Sequence, residues 1–230
     1  MVHKKCILVF LKNPERGKVK SRLAGDLDRD LARSLYKNFV LDLLDTLKKG
    51  GHSFRICFYP PDAGEKLSDW LGKGYSYLPQ NGKDLGERMK NAFLDAFSEG
   101  FFKALIIGSD IPDITNQIIN EALESDDNDA VIGPSFDGGY YLIGFKHNTF
   151  LPGIFEGIEW GTNTVFEKTM EIFAKNRYKV HLLPKWHDVD RLEDLRALVD
   201  GNKNTDFANS TTMAFIRDNQ KKLFGENKNH

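Results

Sequence analysis

The feature that most constrains the fold is a regular alternation between short apolar runs and amphipathic helical patterns. The run at 6–12, CILVFLK, is continuous and rich in strand formers, as in a strand that is buried on both faces. Residues 28–50 repeat apolar side chains on one helical face and end in two lysines and a glycine. Further predicted strands lie at 53–60, 103–110, 129–135, 140–145 and 177–183, and further helices at 84–97, 116–125, 161–176, 191–199 and 211–224. This alternation predicts an α/β protein with one mostly parallel sheet that is covered by helices on both faces.

The length of 230 residues suits one large α/β domain or two small ones. No repeat, low-complexity tract or interdomain linker divides the chain. We therefore predict a single three-layer α/β/α domain over residues 1–200. The remaining residues, 201–230, read as a polar loop and a last helix that pack on the same domain.

Composition narrows the classes of partner. Lys plus Arg number 32 and Asp plus Glu number 33, so the net charge of −1 argues against nucleic-acid binding, which needs a basic face. The apolar run near the start is far shorter than a membrane-spanning helix, and no signal-peptide pattern accompanies it. Cys6 and Cys57 both lie in strand-like runs and are expected to be reduced core thiols. We expect a cytoplasmic protein that acts on small molecules.

Three polar segments follow predicted strands. A basic loop follows the first strand, Asp110 ends the strand at 103–110, and Asp137 follows the strand at 129–135. Ligands of open α/β sheets bind outside the carboxyl ends of the strands. The three segments should therefore lie along one rim of the sheet.

The basic loop carries five cations in eleven residues: Lys12, Arg16, Lys18, Lys20 and Arg22. A strand, a glycine-containing turn and a helix can bring backbone N–H groups to a phosphate, with Lys and Arg adding charge. The segment is neither a P-loop nor a dinucleotide-binding fingerprint, because the required glycines and hydroxyl are missing. The alternative is an ordinary solvated turn. Either way the loop is expected to be exposed, so that substituting Lys20 or Arg22 should cost little stability.

Aspartates are the candidate metal ligands. Asp110 at the end of an apolar strand suits a hard cation such as Mg²⁺ or Mn²⁺, although it could instead cap the following turn. Asp188 and Asp190 can face one site only if the chain turns between them. Asp190 could alternatively be the N-cap of the helix that begins near Leu192.

The segment GPSFDGGYYLIGF at 133–145 offers a second kind of site. Gly138 and Gly139 allow close backbone approach or a positive φ after Asp137. Tyr140 could line a sugar or base pocket. A tight strand connection with a hydrogen-bonded Asp explains the segment equally well. No H-E-x-x-H zinc motif and no G-x-S-x-G serine nucleophile accompany it.

Six segments in order resemble the bacterial DUF2064 family. They are KNPERGKVKSRLA (12–24), QNGKDLGERM (80–89), IGSDIP (107–112), GPSFDGGYYLIGF (133–145), EWGTNTVFEKT (159–169) and DVDRLEDL (188–195). Members are often called nucleotide-diphospho-sugar transferases or glycosyltransferase-like proteins. The resemblance implies the type A glycosyltransferase (GT-A) fold, which is shared with molybdopterin and phospholactate guanylyltransferases.

The resemblance also implies roles for individual residues. The donor's phosphates would be held by the first loop, through Lys12, Gly17, Lys20 and Arg22. Gln80 and Gly82 would read the base. Asp110, helped by Asp188 or Asp190, would carry a divalent metal, Mg²⁺ or Mn²⁺. The acceptor side would comprise Asp137, Gly138, Gly139, Tyr140, Trp160 and Thr162.

Two departures from the pattern bear on the reaction. GT-A glycosyltransferases usually carry a D-x-D metal motif, whereas this chain has the single Asp110 between Ser109 and Ile111. Gly161 stands where the family uses Ser or Thr after Trp160. We expect a metal-dependent transferase that uses a nucleotide or nucleotide-sugar donor and a small-molecule acceptor, with Asp137 as base and Lys20 and Arg22 stabilising the leaving phosphate. Glycosyl transfer is the first hypothesis, nucleotidyl transfer with release of pyrophosphate is the second, and a nucleotide-binding module without catalysis is the third.

Overall fold

A seven-stranded mixed sheet forms the centre of the protein in the computed structural model, which describes residues 4–15 and 17–225. The strands within these residues are β1 Lys5–Lys12, β2 Phe54–Tyr59, β3 Tyr77–Pro79, β4 Lys103–Gly108, β5 Ala130–Pro134, β6 Tyr140–Lys146 and β7 Val180–Leu182. Their order across the sheet is β3-β2-β1-β4-β6-β5-β7.

Strand direction confirms the predicted mostly parallel sheet. β1 pairs in parallel with β2 and β4, β2 with β3, and β5 with β7, whereas β6 runs antiparallel to both β4 and β5. Because β6 is reversed, its first residue Tyr140 lies beside the carboxyl end of β4. The segment between β5 and β6, which contains Asp137, is therefore brought to the rim where β1 and β4 end.

Helices cover both faces of the sheet, as the alternating pattern predicts. Those of the described residues are α1 Leu23–Asp26, α2 Arg29–Lys49, α3 Gly64–Leu71, α4 Leu85–Ser98, α5 Asn116–Glu124, α6 Val165–Lys175, α7 Leu192–Gly201, α8 Thr211–Asp218 and α9 Gln220–Phe224. None of them is long and apolar enough to cross a membrane.

The two faces of β1 belong to two separate hydrophobic clusters. Ile7, Val9 and Leu11 pack in a cluster with α2, α3 and α5. Cys6, Leu8 and Phe10 point to the other face and pack in a cluster with α4 and α6. This period of two with both faces buried explains the uninterrupted apolar run. Cys6 and Cys57 are free and buried, as expected, and burial raises the pKa of the Cys6 thiol to about 11.

The sequence did not predict α3 and β3, which lie in a segment that reads as turns. β3 has three residues at the edge of the sheet, and α3 has eight residues with Leu67 as its one buried side chain. Such short elements carry too few apolar positions for a periodic pattern. Both are stabilised by tertiary contacts, since α3 packs on the same face as α2.

Apolar side chains between residues 207 and 224 pack against the outer side of α2 in a third cluster with α7. The carboxylate of Asp42, which is 7% exposed, caps α8. Asp42 Oδ1 accepts hydrogen bonds from Thr211 N (2.9 Å) and Thr211 Oγ1 (2.7 Å), and Oδ2 accepts one from Thr212 N (2.8 Å). We propose that residues 201–225 are an integral part of the domain. The sequence analysis predicted this packing for residues 201–230, of which residues 226–230 lie outside the described residues.

Replacing Asp42 tests this proposal. Asp42→Ala removes a charged acceptor and leaves three donors at the start of α8, so we expect a loss of about 2–3 kcal/mol and a melting temperature lower by about 5–10 °C. Asp45→Ala on the same helix breaks only an exposed ion pair with Lys49 and should change stability by less than about 0.5 kcal/mol. Equal melting temperatures of the two variants would refute the proposal.

Candidate active site

A cavity of about 510 Å³ opens where β1, β2 and β4 end and β6 begins. Most of the residues singled out in the sequence line it: Lys12, Lys20, Arg22, Gln80, Asp110, Asp137, Gly139, Tyr140, Trp160, Thr162, Asp188 and Asp190. Gly17, Gly82 and Gly138 lie outside its lining. The segments that follow different strands thus meet at one rim, as parallel strands require.

Lys20 is the most buried charge of the cavity, which contradicts the expectation that the whole basic loop is exposed. Its side chain is 2% exposed, and its Nζ lies 2.6 Å from Asp110 Oδ1 and 3.0 Å from Asp190 Oδ1. Burial opposes the charge, but the two carboxylates outweigh it and raise the pKa of Lys20. The backbone of Lys20 has a φ of +50°, in the left-handed region that a side chain rarely adopts. The contacts of this ammonium with two carboxylates thus accompany a strained backbone conformation.

Two other cations of the loop, Arg22 and Lys18, also form ion pairs. Arg22 Nη1 lies 3.3 Å from Asp190 Oδ2, and Lys18 Nζ lies 2.6 Å from Glu15 Oε2. Lys12 is exposed at the end of β1. Gly17 supplies a turn with a φ of +75°. Arg16, the fifth predicted cation, lies outside the described residues.

Asp188 and Asp190 both reach the cavity, because the buried Val189 between them anchors the chain by donating its N–H to Asp110 O at 2.9 Å. Their electrostatic environments are opposite. Burial, and next the charge of Asp137, raises the pKa of Asp188 to about 7. Burial acts in the same direction on Asp190, but Lys20 and Arg22 outweigh it and lower its pKa.

Two structural alternatives for these aspartates are wrong. Asp190 is not the N-cap of α7; Asp194 Oδ2 accepts from the backbone N–H groups of Asp190 and Arg191 at 3.0 and 2.8 Å. The carboxylate of Asp110 binds Lys20 and makes no hydrogen bond to the following turn among the described residues. Both side chains face the cavity instead.

The donor chemistry of the cavity fits a hard divalent cation, because its acidic side chains are the oxygen ligands of Asp110, Asp137, Asp188 and Asp190. Within the described residues no three His, Cys, Asp or Glu side chains converge into a closed metal site. Mg²⁺ is commonly held by one or two carboxylates and completed by substrate phosphates. Burial, and next the charge of Asp137, opposes the ionised form of Asp188, and a cation bound beside it would favour that form.

The motif at 80–89 forms the wall beside β2 and β3. Gln80 is 5% exposed, and its amide nitrogen donates to Cys57 O at 2.8 Å, which ties the ends of two strands together. Gly82 has a φ of +147°, and a Cβ there would lie 2.7 Å from the backbone N of Arg88. Asp84 caps α4 by accepting from Glu87 N at 2.8 Å. Gly86 packs against the indole of Trp160 with no room for a Cβ.

Arg88 is a cavity residue that the sequence reasoning missed. Its guanidinium lies over the ring of Tyr59, with 4.4 Å between Cζ and the ring centroid, and both side chains line the cavity. Arg88 is the fourth residue of α4, and the start of this helix lies at the rim of the sheet. That position in the predicted helix was the one sequence feature that pointed to the cavity.

The opposite wall holds the predicted acceptor residues. Asp137 Oδ1 accepts hydrogen bonds from Ser135 Oγ and from Gly139 N. Gly138 has a φ of +89° and touches the backbone of Asn163, which excludes a side chain. The rings of Tyr140 and Trp160 pack edge to face, with 6.4 Å between their centroids.

The segment after Trp160 is a tight turn. Thr162 Oγ1 donates to Glu159 O at 2.8 Å. Gly161 has a φ of +85°, which explains a glycine where the family pattern has Ser or Thr.

Comparison with known proteins places this site in a family. The profile described as "Uncharacterized protein conserved in bacteria (DUF2064)" matches residues 42–162. A solved structure from Desulfovibrio desulfuricans G20, provisionally described as a nucleotide-diphospho-sugar transferase, is 44% identical with a TM-score of 0.93 and covers 96% of this chain and 97% of its own. The chain belongs to the DUF2064 family. No curated protein matches it.

More distant solved structures share the fold of this DUF2064 protein. One is 4-diphosphocytidyl-2C-methyl-D-erythritol synthase from Anaerococcus prevotii DSM 20548, at 12% identity and a TM-score of 0.56, covering 88% of this chain and 99% of its own. Another is Rv0371c from Mycobacterium tuberculosis H37Rv, solved as a complex with manganese, at 14% identity and a TM-score of 0.53, covering 87% and 100%. The predicted nucleotide-diphospho-sugar transferase fold is confirmed.

Replacing Lys20 should destabilise the DUF2064 protein, contrary to the sequence expectation. Lys20→Met leaves two carboxylates facing each other, at a cost of about 1–3 kcal/mol near pH 7 after allowance for their partial exposure. In the folded protein the pKa of Asp190 is lowered from 3.8 and the pKa of Lys20 is raised from 10.5. The stabilisation by this ion pair is therefore lost as the pH falls through the folded pKa of Asp190 or rises through the folded pKa of Lys20. The difference in melting temperature from wild type should therefore be largest between about pH 5 and pH 10.

Lys18→Met is the matched control, because the Lys18 side chain is 74% exposed. It should melt within about 1–2 °C of wild type. If Lys20→Met melted at the same temperature as this control, the pairing of Lys20 with Asp110 and Asp190 would contribute nothing.

Replacing Asp188 should have the opposite effect in chelator-treated protein. The folded pKa of Asp188, about 7, exceeds its ordinary value of 3.8, so the folded state binds this proton more tightly and stability falls as pH rises from about 4 to about 7. Asp188→Asn carries no charge at any pH and should melt above wild type at pH 8, by about 3–8 °C, with the gain shrinking toward pH 5. Melting curves at both pH values decide this, and a variant less stable than wild type at pH 8 would contradict the assignment.

Proposed function

We propose that this DUF2064 protein transfers a group from a nucleotide-activated donor to a small-molecule acceptor, most directly as a glycosyltransferase that uses a nucleoside-diphospho-sugar. One observation carries the proposal: a single cavity joins the basic loop after β1 to four aspartates from three other segments. The 44% identical relative with the provisional description of a nucleotide-diphospho-sugar transferase supports the same donor class.

The donor's phosphates would lie on the side of the basic loop. Lys12, exposed at the end of β1, and the cationic group of Lys20 and Arg22 would stabilise charge on the leaving phosphate. Gln80 and Gly82 would form the base side. The amide nitrogen of Gln80 is used by the β2 backbone, so its carbonyl oxygen and nearby main-chain groups are what it can offer a base.

Asp110, with Asp188 or Asp190, would hold Mg²⁺ or Mn²⁺ together with the phosphates. A divalent cation bound there would neutralise the diphosphate and polarise the bond to the leaving group. The manganese complex of the distant fold relative Rv0371c is consistent with this choice. Lys20 would keep two of these carboxylates ionised and close together.

The acceptor would bind between Asp137 and Trp160. The hydrogen bonds that Asp137 accepts from described residues go to Oδ1, so Oδ2 is the oxygen available to take a proton from an acceptor hydroxyl. That hydroxyl oxygen would then bond to C1 of the sugar, while the bond from C1 to the diphosphate breaks and the nucleoside diphosphate leaves with the electron pair. Gly138, Gly139, Tyr140 and Thr162 would shape this side.

Nucleotidyl transfer is the second candidate, and the single carboxylate at the end of β4 favours it over a D-x-D glycosyltransferase site. An oxygen of an acceptor phosphate would attack the α-phosphorus of a nucleoside triphosphate, and pyrophosphate would leave. Such an acceptor needs no strong base, so Asp137 would only position it.

A thermal-shift screen of nucleoside triphosphates and nucleotide sugars, each with and without Mn²⁺, tests the proposal. A ligand at a hundred times its dissociation constant adds about 2.7 kcal/mol, which corresponds to a shift of about 5–11 °C at this size. Release of a nucleoside diphosphate would then identify glycosyl transfer, and release of pyrophosphate nucleotidyl transfer. No metal-dependent shift with any donor would refute both reactions, and a shift without turnover would support a binding module.

Asp110→Asn should lower the metal-dependent rate on the order of 100-fold, the size of effect seen on losing one electrostatic stabiliser. The fold should persist, because Asp190 still pairs with Lys20. Asp95→Asn, an exposed position on α4, is the control and should keep the wild-type rate. An unchanged rate in Asp110→Asn would remove Asp110 from the proposed metal site.

A further inference from the structure

The charges of the cavity are unevenly compensated. Lys20 and Arg22 pair with the two carboxylates of Asp110 and Asp190, so this group of four carries no net charge when all are ionised. It can orient a phosphate but has little net attraction for one. Among the side chains of the cavity, net attraction for an anion can come from cations that no carboxylate pairs with.

Arg88 is such a cation. No carboxylate among the described residues pairs with it, and its Nε is buried without a hydrogen-bond partner there. A cation in the first turn of a helix is also unfavourable to the helix dipole, so helix stability does not explain this residue. Four other residues of the motif at 80–89 have the structural contacts described above: Gln80, Gly82, Asp84 and Gly86.

Lys12 stands near Arg88 at the same strand ends. Lys12 and Tyr59 are register partners on β1 and β2, and the guanidinium of Arg88 lies over the Tyr59 ring. Lys12, like Arg88, has no ion pair among the described residues and lines the cavity. Two uncompensated cations therefore flank the Tyr59 side of the cavity.

We propose that Arg88, together with Lys12, binds an anionic phosphate group of a substrate on the Tyr59 side of the cavity. The planar guanidinium presents paired donors that match such anions, and stacking on Tyr59 holds its plane. A neutral carbonyl group of a nucleobase would leave the charge of the half-buried Arg88 guanidinium uncompensated, whereas an anion neutralises that charge. The assignment rests on the proposed function only in treating the anion as part of a substrate. The anion belongs either to the donor's phosphates or to the acceptor.

Calorimetric titration of inorganic pyrophosphate and of glucose 1-phosphate into wild type, Arg88→Gln, Arg88→Lys and Lys83→Gln tests the proposal. Lys83 is an exposed cation just before α4 and lies outside the cavity lining, so its substitution is the matched control. Arg88→Gln should weaken binding of at least one anion by about 10–100-fold, as expected for the loss of charge-assisted hydrogen bonds. Arg88→Lys should restore part of it, and the control should bind as wild type does.

The two probes distinguish the source of the anion. Loss confined to pyrophosphate assigns Arg88 to the donor, and loss confined to glucose 1-phosphate assigns it to the acceptor. The proposal is overturned if wild type binds neither anion, or if Arg88→Gln binds both as tightly as Lys83→Gln does. Arg88-dependent binding of pyrophosphate in a protein that responds to no nucleotide would refute the proposed function and leave this inference standing.

Discussion

The ammonium of Lys20 between Asp110 and Asp190 is the interaction on which the cavity depends. It joins the loop after β1, the end of β4 and the segment before α7 at distances of 2.6 and 3.0 Å. A buried lysine is costly unless carboxylates compensate it, and adjacent carboxylates are costly unless a cation separates them. Each group thus makes the burial of the others tolerable, and together they fix the positions of three segments that are distant in sequence. The left-handed backbone of Lys20 is the local strain that this arrangement has to offset.

Much of the architecture could be predicted because the spacing of apolar residues along the chain indicates the strands and helices. The apolar run in β1 and the apolar helical face in α2 consist of residues that are buried in the structure. The predicted bounds of both elements agree with the observed ones within one or two residues. The rim that carries Asp110 and Asp137 followed from strand direction alone. By contrast, α3 and β3 are too short to carry a period, and the reversal of β6 depends on pairing with β4 and β5, which no local pattern encodes.

The sequence could predict which residues line the site, but it could not predict which of them form ion pairs with one another. The sequence marks Lys20, Asp110 and Asp190 as candidate site residues, yet it cannot show that Lys20 binds the two carboxylates across 90 and 170 residues of chain. The expected exposure of Lys20 failed for that reason: its burial depends on where the two carboxylates lie. Arg88 was missed because a single arginine in an amphipathic helix looks like an ordinary surface charge until the fold places it against Tyr59.

The distance in sequence between Lys20 and Asp190 has a consequence for synthesis. During translation β1 and the basic loop emerge before the rest of the sheet, whereas Asp190 emerges 170 residues after Lys20. Until then Lys20 lacks one of its two carboxylates, and the loop remains a cluster of hydrated charges. The nascent chain can build the β1–β2–β4 part of the sheet in that interval, but it cannot bury Lys20 with full compensation. Completion of the cavity therefore waits for synthesis of the segment before α7.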